Sequence, residues 1–208
     1  TQEGRLHLNP FQFTGAGGDF WSEGWVEPAG RGIRFHIKPR VSNMEARAFM
    51  RILSPTIQEE KMVYSGRIHI DKVELHGEGE DFQKIKASLN GGLRFEIEQG
   101  AIEKANLLAK IFSLLNVTQY FKGKLPDLKT KGLPFQRILA TFQIKDGIAS
   151  FEDFLVDSEA MRISGVGKMD LSQNQIDAKI GVHPLVTVDT VLSKIPIAGY
   201  ILTGKDKA

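Results

Sequence analysis

Apolar and polar residues alternate along much of this chain, most plainly between Phe135 and Ile180. Ile138, Ala140, Phe142 and Ile144 fall on one side of an extended backbone. A second run follows Lys145-Asp146-Gly147, then come Met161 and Ile163, then Ile176, Ala178, Ile180 and Val182. A period of two predicts strands with one apolar and one polar face. Asp146-Gly147 has the composition of a tight hairpin turn, and Asn174 marks another. This stretch is expected to be an antiparallel meander of about four strands with one apolar side.

The same pattern recurs upstream. Leu6 and Leu8 alternate, and Pro10 is expected to end that run. Residues 14–18 and 28–32 read as turns around a strand carrying Phe20, Trp21 and Trp25. Ile33, Phe35 and Ile37 alternate with Arg34, His36 and Lys38. Ser42 and Glu45 have capping-box spacing, and Ala46, Phe49, Met50 and Leu53 follow at helical spacing, so a helix is expected from Ser42. A β segment over 62–77 changes parity at Asp71-Lys72, which predicts a bulge or a two-residue turn. Asp81 is placed to cap a short helix with Phe82, Ile85 and Leu89 on one face, stopped by Asn90-Gly91-Gly92. Leu93, Phe95 and Ile97 form another strand, with Gln99-Gly100 expected to turn. The most apolar helix is predicted over about 103–116, with Leu107, Leu108, Ile111, Phe112 and Leu115 on a wide arc. A basic loop over 120–133 and a short helix near 185–194 complete the set.

Composition narrows the classes. With 208 residues, 41% hydrophobic and 25% charged, the chain is an ordered one. It is read as a single unit: strands and a helix over 1–64, the main region over 65–204, and a tail over 205–208. A formal net charge of +2 gives no broad attraction to nucleic acid. The absence of cysteine excludes disulfides, thiol catalysis and Cys-ligated zinc. The longest apolar run, 191–202, is broken by Ser193, Lys194 and Pro196 and is too short to span a bilayer. The first residue is Thr1, so a piece of a longer protein is expected.

Catalytic templates fail. Gly165-Val166-Gly167-Lys168 has Arg162 and Met169 where a phosphate loop needs Gly and Ser or Thr. Gly18-Asp19-Phe20 breaks the dinucleotide fingerprint begun by Gly15-Ala16-Gly17, and no G-x-S-x-G elbow occurs. The five histidines form no H-E-x-x-H pair. His69, Asp71 and His76 share one β segment and are read as a solvated face rather than metal ligands. Glu78, Glu80 and Asp81 are poorly spaced for calcium, and capping by Asp81 accounts for them better. Lys122, Lys124, Lys129 and Lys131 beside Tyr120 and Phe121 are read as a solvated loop, with single-stranded nucleic acid or anionic headgroups as weaker readings. No enzyme activity, cofactor or metal is expected. What remains is extended apolar surface. Helices cover it as an ordinary core, or it curls into a groove for an apolar ligand. A fully buried C16 acyl chain would contribute about 12 kcal/mol at ~0.8 kcal/mol per methylene.

The run from Phe142 to Leu185 resembles the C-terminal region of the AsmA-like family, the group of AsmA, TamB and YhdP. The shared features are the polar-Gly turn at Lys145-Asp146-Gly147, a strand ending near Ser158, the Gly-x-Gly stretch from Ile163 to Leu171, Ile176-Asp177, Pro184, and Ile-Pro-apolar-apolar-Gly from Ile195 to Gly199. The order strand, short helix, Gly-Gly strand and Gly-turn-helix upstream is similar too, so the resemblance runs from about Ser65 to Gly204. It implies a bacterial envelope protein, periplasmic and tethered to the inner membrane by a helix outside this chain. It implies a role in moving phospholipid between membranes and in outer-membrane biogenesis. Family members carry such an anchor and continue past Gly204, so one part of a longer conduit is expected.

The expected fold is α+β and β-rich: a long, twisted, mostly antiparallel sheet of about ten strands curling into an apolar groove, with three to five helices on one side or end. The expected groove residues are Leu93, Phe95, Ile97, Ile138, Phe142, Ile144, Ile163, Ile176 and Ile180, with the 107–115 helix as cover or gate. The expected partner is phospholipid acyl chains. The alternative is a scaffold that assists outer-membrane assembly proteins by strand pairing. A hydrolase using His69 or His76 with Asp71 ranks third.

Overall fold

The computed structural model describes residues 4–53, 65–103, 132–185 and 200–201. Ten strands form one sheet in chain order, and every neighbouring pair is antiparallel. They are β1 (Leu6–Gly15), β2 (Gly18–Ala29), β3 (Gly32–Glu45), β4 (Arg67–Gly79), β5 (Asn90–Ile102), β6 (Leu133–Lys145), β7 (Ile148–Asp157), β8 (Met161–Asp170), β9 (Gln175–Pro184) and β10 (Tyr200–Ile201). Helix α1 (Ala46–Leu53) follows β3, and α2 (Phe82–Ser88) lies between β4 and β5.

Turn chemistry explains the hairpins. Ala16-Gly17 and Asp146-Gly147 both have two left-handed residues, at φ 53 and 73 and at φ 47 and 74. That is the two-residue turn whose twist matches antiparallel strands. In the β8–β9 turn Asp170 Oδ1 accepts from Ser172 Oγ at 2.7 Å and from the Ser172 and Gln173 amides at 2.9 Å. Asn174 ends that turn with φ 54.

Where strands carry an extra residue, the sheet bulges. The predicted break at Asp71-Lys72 is a bulge in β4, with Lys72 at φ 51. Pro10 does not end β1. It sits in a bulge between Leu8 and Phe11, and an edge strand tolerates the missing amide. In β7 Glu152 and Asp153 together oppose one residue of β8, and the Asp153 carboxylate fills the gap. It accepts from Thr141 N at 2.6 Å and Thr141 Oγ1 at 2.7 Å.

Two further expectations are corrected. The helix begins at Ala46, not Ser42, because β3 runs on to Glu45: Met44 pairs with Ile68 and Glu45 with Arg67. Ladder pairing outweighs the capping box there. Gln99-Gly100 does not turn. β5 continues to Ile102, with Gln99 at φ 49 one step beyond the Arg67–Glu98 pair. Helix α2 forms with Asp81 as N-cap, its Oδ1 accepting from Lys84 N at 2.8 Å. Its Phe82 is 74% exposed rather than packed inward, with Lys86 Nζ 5.3 Å from the ring centre. The predicted helices over 103–116 and 185–194 lie outside the described residues save for their first residues, as do Lys122, Lys124, Lys129 and Lys131.

The buried core lies at one end of the apolar side. Met44, Ile68, Ile97, Ile138, Val156 and Ile163 pack with Ala46 and Phe49 of α1 and with Leu133, Phe135 and Met161. Ile97 pairs with Ile138 and Ile102 with Leu133, an odd number of residues apart, yet both pairs join this cluster. The left-handed Gln99 between them lets the strand end re-aim its side chains inward.

Asp153→Ala should remove the Thr141 bonds at an exposed site, where water takes over the amide, and cost about 0.5–1.5 kcal/mol in urea melts. Asp170 has its carboxyl pKa lowered, chiefly by the Ser172 hydroxyl and then by the Gln173 amide. Its contribution is therefore full above the ordinary carboxylate pKa of about 3.9 and lost as pH falls through the lower folded value. The stability gap between wild type and Asp170→Asn should narrow in urea melts below about pH 4.

Candidate functional site

Strand register turns short alternations into rows that cross the whole sheet. Leu8, Gly24, Ile37, Leu75, Gly91, Ile144, Ala149, Met169 and Ile176 are successive partners from β1 to β9. A parallel row runs Met44, Ile68, Ile97, Ile138, Val156, Ile163, Val182 from β3 to β9. Between them run Phe13, Phe20, Val41, Ile70, Phe95 and Ala140. No row contains a polar side chain. At about 4.8 Å per strand the longest row spans roughly 38 Å. That exceeds the ~30 Å hydrocarbon thickness of a bilayer, which is two acyl chains end to end.

All nine sequence-predicted residues lie on this face. Ile97, Ile138, Ile144 and Ile163 are buried, Leu93, Phe95, Phe142 and Ile180 are half-buried, and Ile176 is exposed. The first group belongs mainly to the core, and of the second Phe95 and Ile180 pack against that core. The proposed gate residues Leu107, Leu108, Ile111, Phe112 and Leu115 lie outside the described residues. Sequence reasoning missed an aromatic run. Phe95 stacks on Phe142 at 5.9 Å, Phe142 meets Phe151 edge-on at 5.6 Å, and Phe151 meets Phe154 at 6.2 Å. The bulge at Glu152-Asp153 changes the parity between Phe151 and Phe154, and that change was the available signal.

Both helices sit on the apolar side. A Cβ on Gly77 would lie 3.1 Å from Ser88 Oγ, and one on Gly79 would lie 2.6 Å from Ile85 N, so α2 rests against β4 there. Helix α1 places Ala46 and Phe49 in the core near the opposite strand ends. At β1 the face is open: Leu6, Phe11 and Phe13 are 57%, 59% and 42% exposed.

The opposite face is charged. Glu45, Arg67, Glu98, Arg137, Asp157, Arg162 and His183 are successive partners from β3 to β9, alternating in sign up to the histidine. Arg162 lies 3.2 Å from Asp157, and Arg94 and Arg137 lie 3.3 and 3.7 Å from Glu96. His36 Nε2 lies 3.0 Å from Glu74 Oε1, and this contact first, then Lys38, holds the Glu74 carboxyl below its usual pKa. Glu78 likewise raises the pKa of Arg34.

The other candidate chemistry does not assemble. His69 pairs with Glu96 and His76 with Asn90, so the two histidines are some six residues apart along the sheet. Among the described residues no group of three or more His, Cys, Asp or Glu is placed to hold a metal. Glu78 is paired with Arg34, Glu80 with Lys84, and Asp81 caps α2. Gly165 to Lys168 is extended strand within β8, and Ala16-Gly17 is the β1–β2 turn. Among the described residues no helix is long and apolar enough to cross a membrane.

A protein-family model described as YhdP protein matches residues 3–208. The match therefore includes the N-terminal strands as well as the region from Ser65 onward. No curated protein and no solved structure matches the chain.

The division of the face is testable by stability. Ile97→Ala empties a fully enclosed site and should cost about 2–4 kcal/mol in urea melts. Leu93→Ala, at a half-buried site, should cost less than half as much.

Proposed function

The chain belongs to the YhdP family, an AsmA/TamB-type envelope protein family, and we propose that it binds and conducts phospholipid acyl chains along its apolar face without a chemical step. The observation that carries this reading is the unbroken apolar row from Leu8 to Ile176 across nine strands. A chain lying across the strands would meet only apolar side chains or glycine where the row is accessible, Ile144 and Ala149 being covered. Such a face binds any saturated chain and offers little to favour one position over the next. That suits conduction better than storage. Curling of the sheet would deepen the face into a groove, with Phe95, Phe142 and Phe151 as part of its lining. The envelope assignment of the family supports a periplasmic setting, with a tether to the inner membrane outside this chain.

A second reading has its own observation. β1 is a ten-residue edge strand that, among the described residues, is paired on one side only, by β2. A free edge of that length can recruit a strand from another protein, as a scaffold for outer-membrane assembly would.

Mass spectrometry of organic extracts from gently purified protein separates the two. Wild type should carry phospholipid. Phe142→Asp, which puts a carboxylate in the middle of the aromatic run, should reduce it by about tenfold or more while circular dichroism stays unchanged. Equal lipid in both proteins, or none in wild type, would remove the apolar face as the ligand site and favour the edge-strand reading.

A further inference from the structure

The β2–β3 turn and α2 flank an open pocket of about 700 Å³. Pro28, Gly79 and Ala87 supply the apolar half of a lining that is otherwise polar. Its rim carries Arg31, Arg34 and Lys84 together with Glu78 and Glu80. Four of these charges are paired and one is left over. Arg34 Nε donates to Glu78 Oε2 at 2.8 Å while its Nη1 lies 3.6 Å from Glu27, and Lys84 is ion-paired with Glu80. Arg31 makes no ion pair or hydrogen bond with the described residues and is exposed. Turn chemistry does not call for it either. Gly30, at φ 60, supplies the left-handed residue of the turn, so the next position accepts almost any side chain. One uncompensated guanidinium therefore faces a pocket with space for a polar group.

The surroundings of the pocket are the second observation. Pro28 pairs with Ile33, which is 41% exposed, and the next pair inward is Val26 with Phe35. Val26 in turn pairs with Leu6, the exposed residue of the edge strand. The pocket thus adjoins, through Pro28, an exposed part of the apolar face. A ligand that satisfies both must have one negative charge at one end and a hydrocarbon chain at the other. A guanidinium binds phosphate oxygens through parallel N–H donors, and a phosphodiester carries a single negative charge.

We infer that this pocket takes the phosphodiester headgroup of a phospholipid whose acyl chain lies over Ile33, Val26 and Leu6, with Arg31 as the phosphate ligand. The inference rests on the apolar-face reading above and adds to it a fixed station for the headgroup. It makes the β1–β3 end of the sheet a place where a lipid is oriented, whereas the rows beyond are indifferent to position.

The test uses calorimetric titration of the chain with dihexanoyl phosphatidylglycerol, with octyl glucoside as an uncharged amphiphile and with inorganic phosphate. Arg31→Ala should weaken the phospholipid by about tenfold or more, the effect of one lost charge-assisted bond. Octyl glucoside should bind wild type and variant alike, and Arg31→Lys should restore part of the phospholipid affinity. Phospholipid binding that ignores Arg31 would overturn the headgroup station and leave the apolar-face reading standing. Inorganic phosphate binding as tightly as the phospholipid would make the pocket a free-anion site and overturn the station too. Failure of octyl glucoside to bind wild type would overturn both readings.

Discussion

Register is the constraint on which this structure depends. Side chains alternate with a period of two, so a slip of one residue would send a strand's apolar set to the wrong side of the sheet. Ten strands in chain order leave no crossover to fix their positions from outside the ladder. Among the described residues each inner strand is aligned chiefly by its two neighbours. Three devices in the sequence do the aligning. Two-residue turns with left-handed residues set the β1–β2 and β6–β7 pairings without slack. Bulges in β1, β4 and β7 fall where the apolar parity changes, so the face is kept across them. The alternating charges on the opposite face favour one alignment, since like charges directly opposite each other are unfavourable. Single exposed pairs of this kind contribute little, about 0–1 kcal/mol, but a slipped strand would separate its pairs with both neighbours at once.

That constraint also marks what could be read from the sequence. The strand set from Phe135 to Val182, the turns at Asp146 and Asn174, the bulge at Lys72 and the cap at Asp81 follow from local chemistry, and all are present. The nine predicted residues share a face because period two is a local property. Which of them are enclosed is not local. Ile97 is buried by α1 and by the re-aimed ends of β5 and β6, whereas Phe95, two residues away, is half-covered. The misjudged boundaries have one cause. Ser42-Glu45, Pro10 and Gln99-Gly100 each carry a sound local signal for a helix start, a strand end or a turn. In each case pairing with a neighbouring strand decides otherwise. Phe82 errs the other way: helical spacing suggested an inward face, but α2 rests on Gly77 and Gly79 through Ser88 and Ile85.

The glycines on the apolar side follow the same logic. Gly24, Gly77, Gly91, Gly165 and Gly167 occupy row positions where a larger side chain would be expected. At Gly165 the space is taken by Ile180 and Phe154, whose atoms would lie 2.6 and 3.3 Å from an added Cβ. At Gly77 it is taken by Ser88 and Phe35. Large neighbours lean over small ones, so the face stays apolar while its relief changes from strand to strand. Alternation alone hides this, because a glycine within a strand pattern reads as a weak point rather than as space for a neighbour.

A face built this way has a direction that a helical bundle or closed barrel lacks. Each row runs across the strands, so adding a strand lengthens the apolar path by about 4.8 Å without altering the rest. Chain order and spatial order are the same, so position along the path is position along the sequence. The positive remainder at the β2–β3 turn then has a meaning that depends on place. It stands near the β1 side, where Leu6, Phe11 and Phe13 are open, and not near β6 to β8, where Ile138, Ala149 and Ile163 are enclosed. A lipid bound as proposed would therefore find its charged and apolar partners together at that end of the described sheet. On the reading proposed above, the rows beyond that end would offer a lipid apolar contact without a second charged stop among the described residues, which would favour travel over capture.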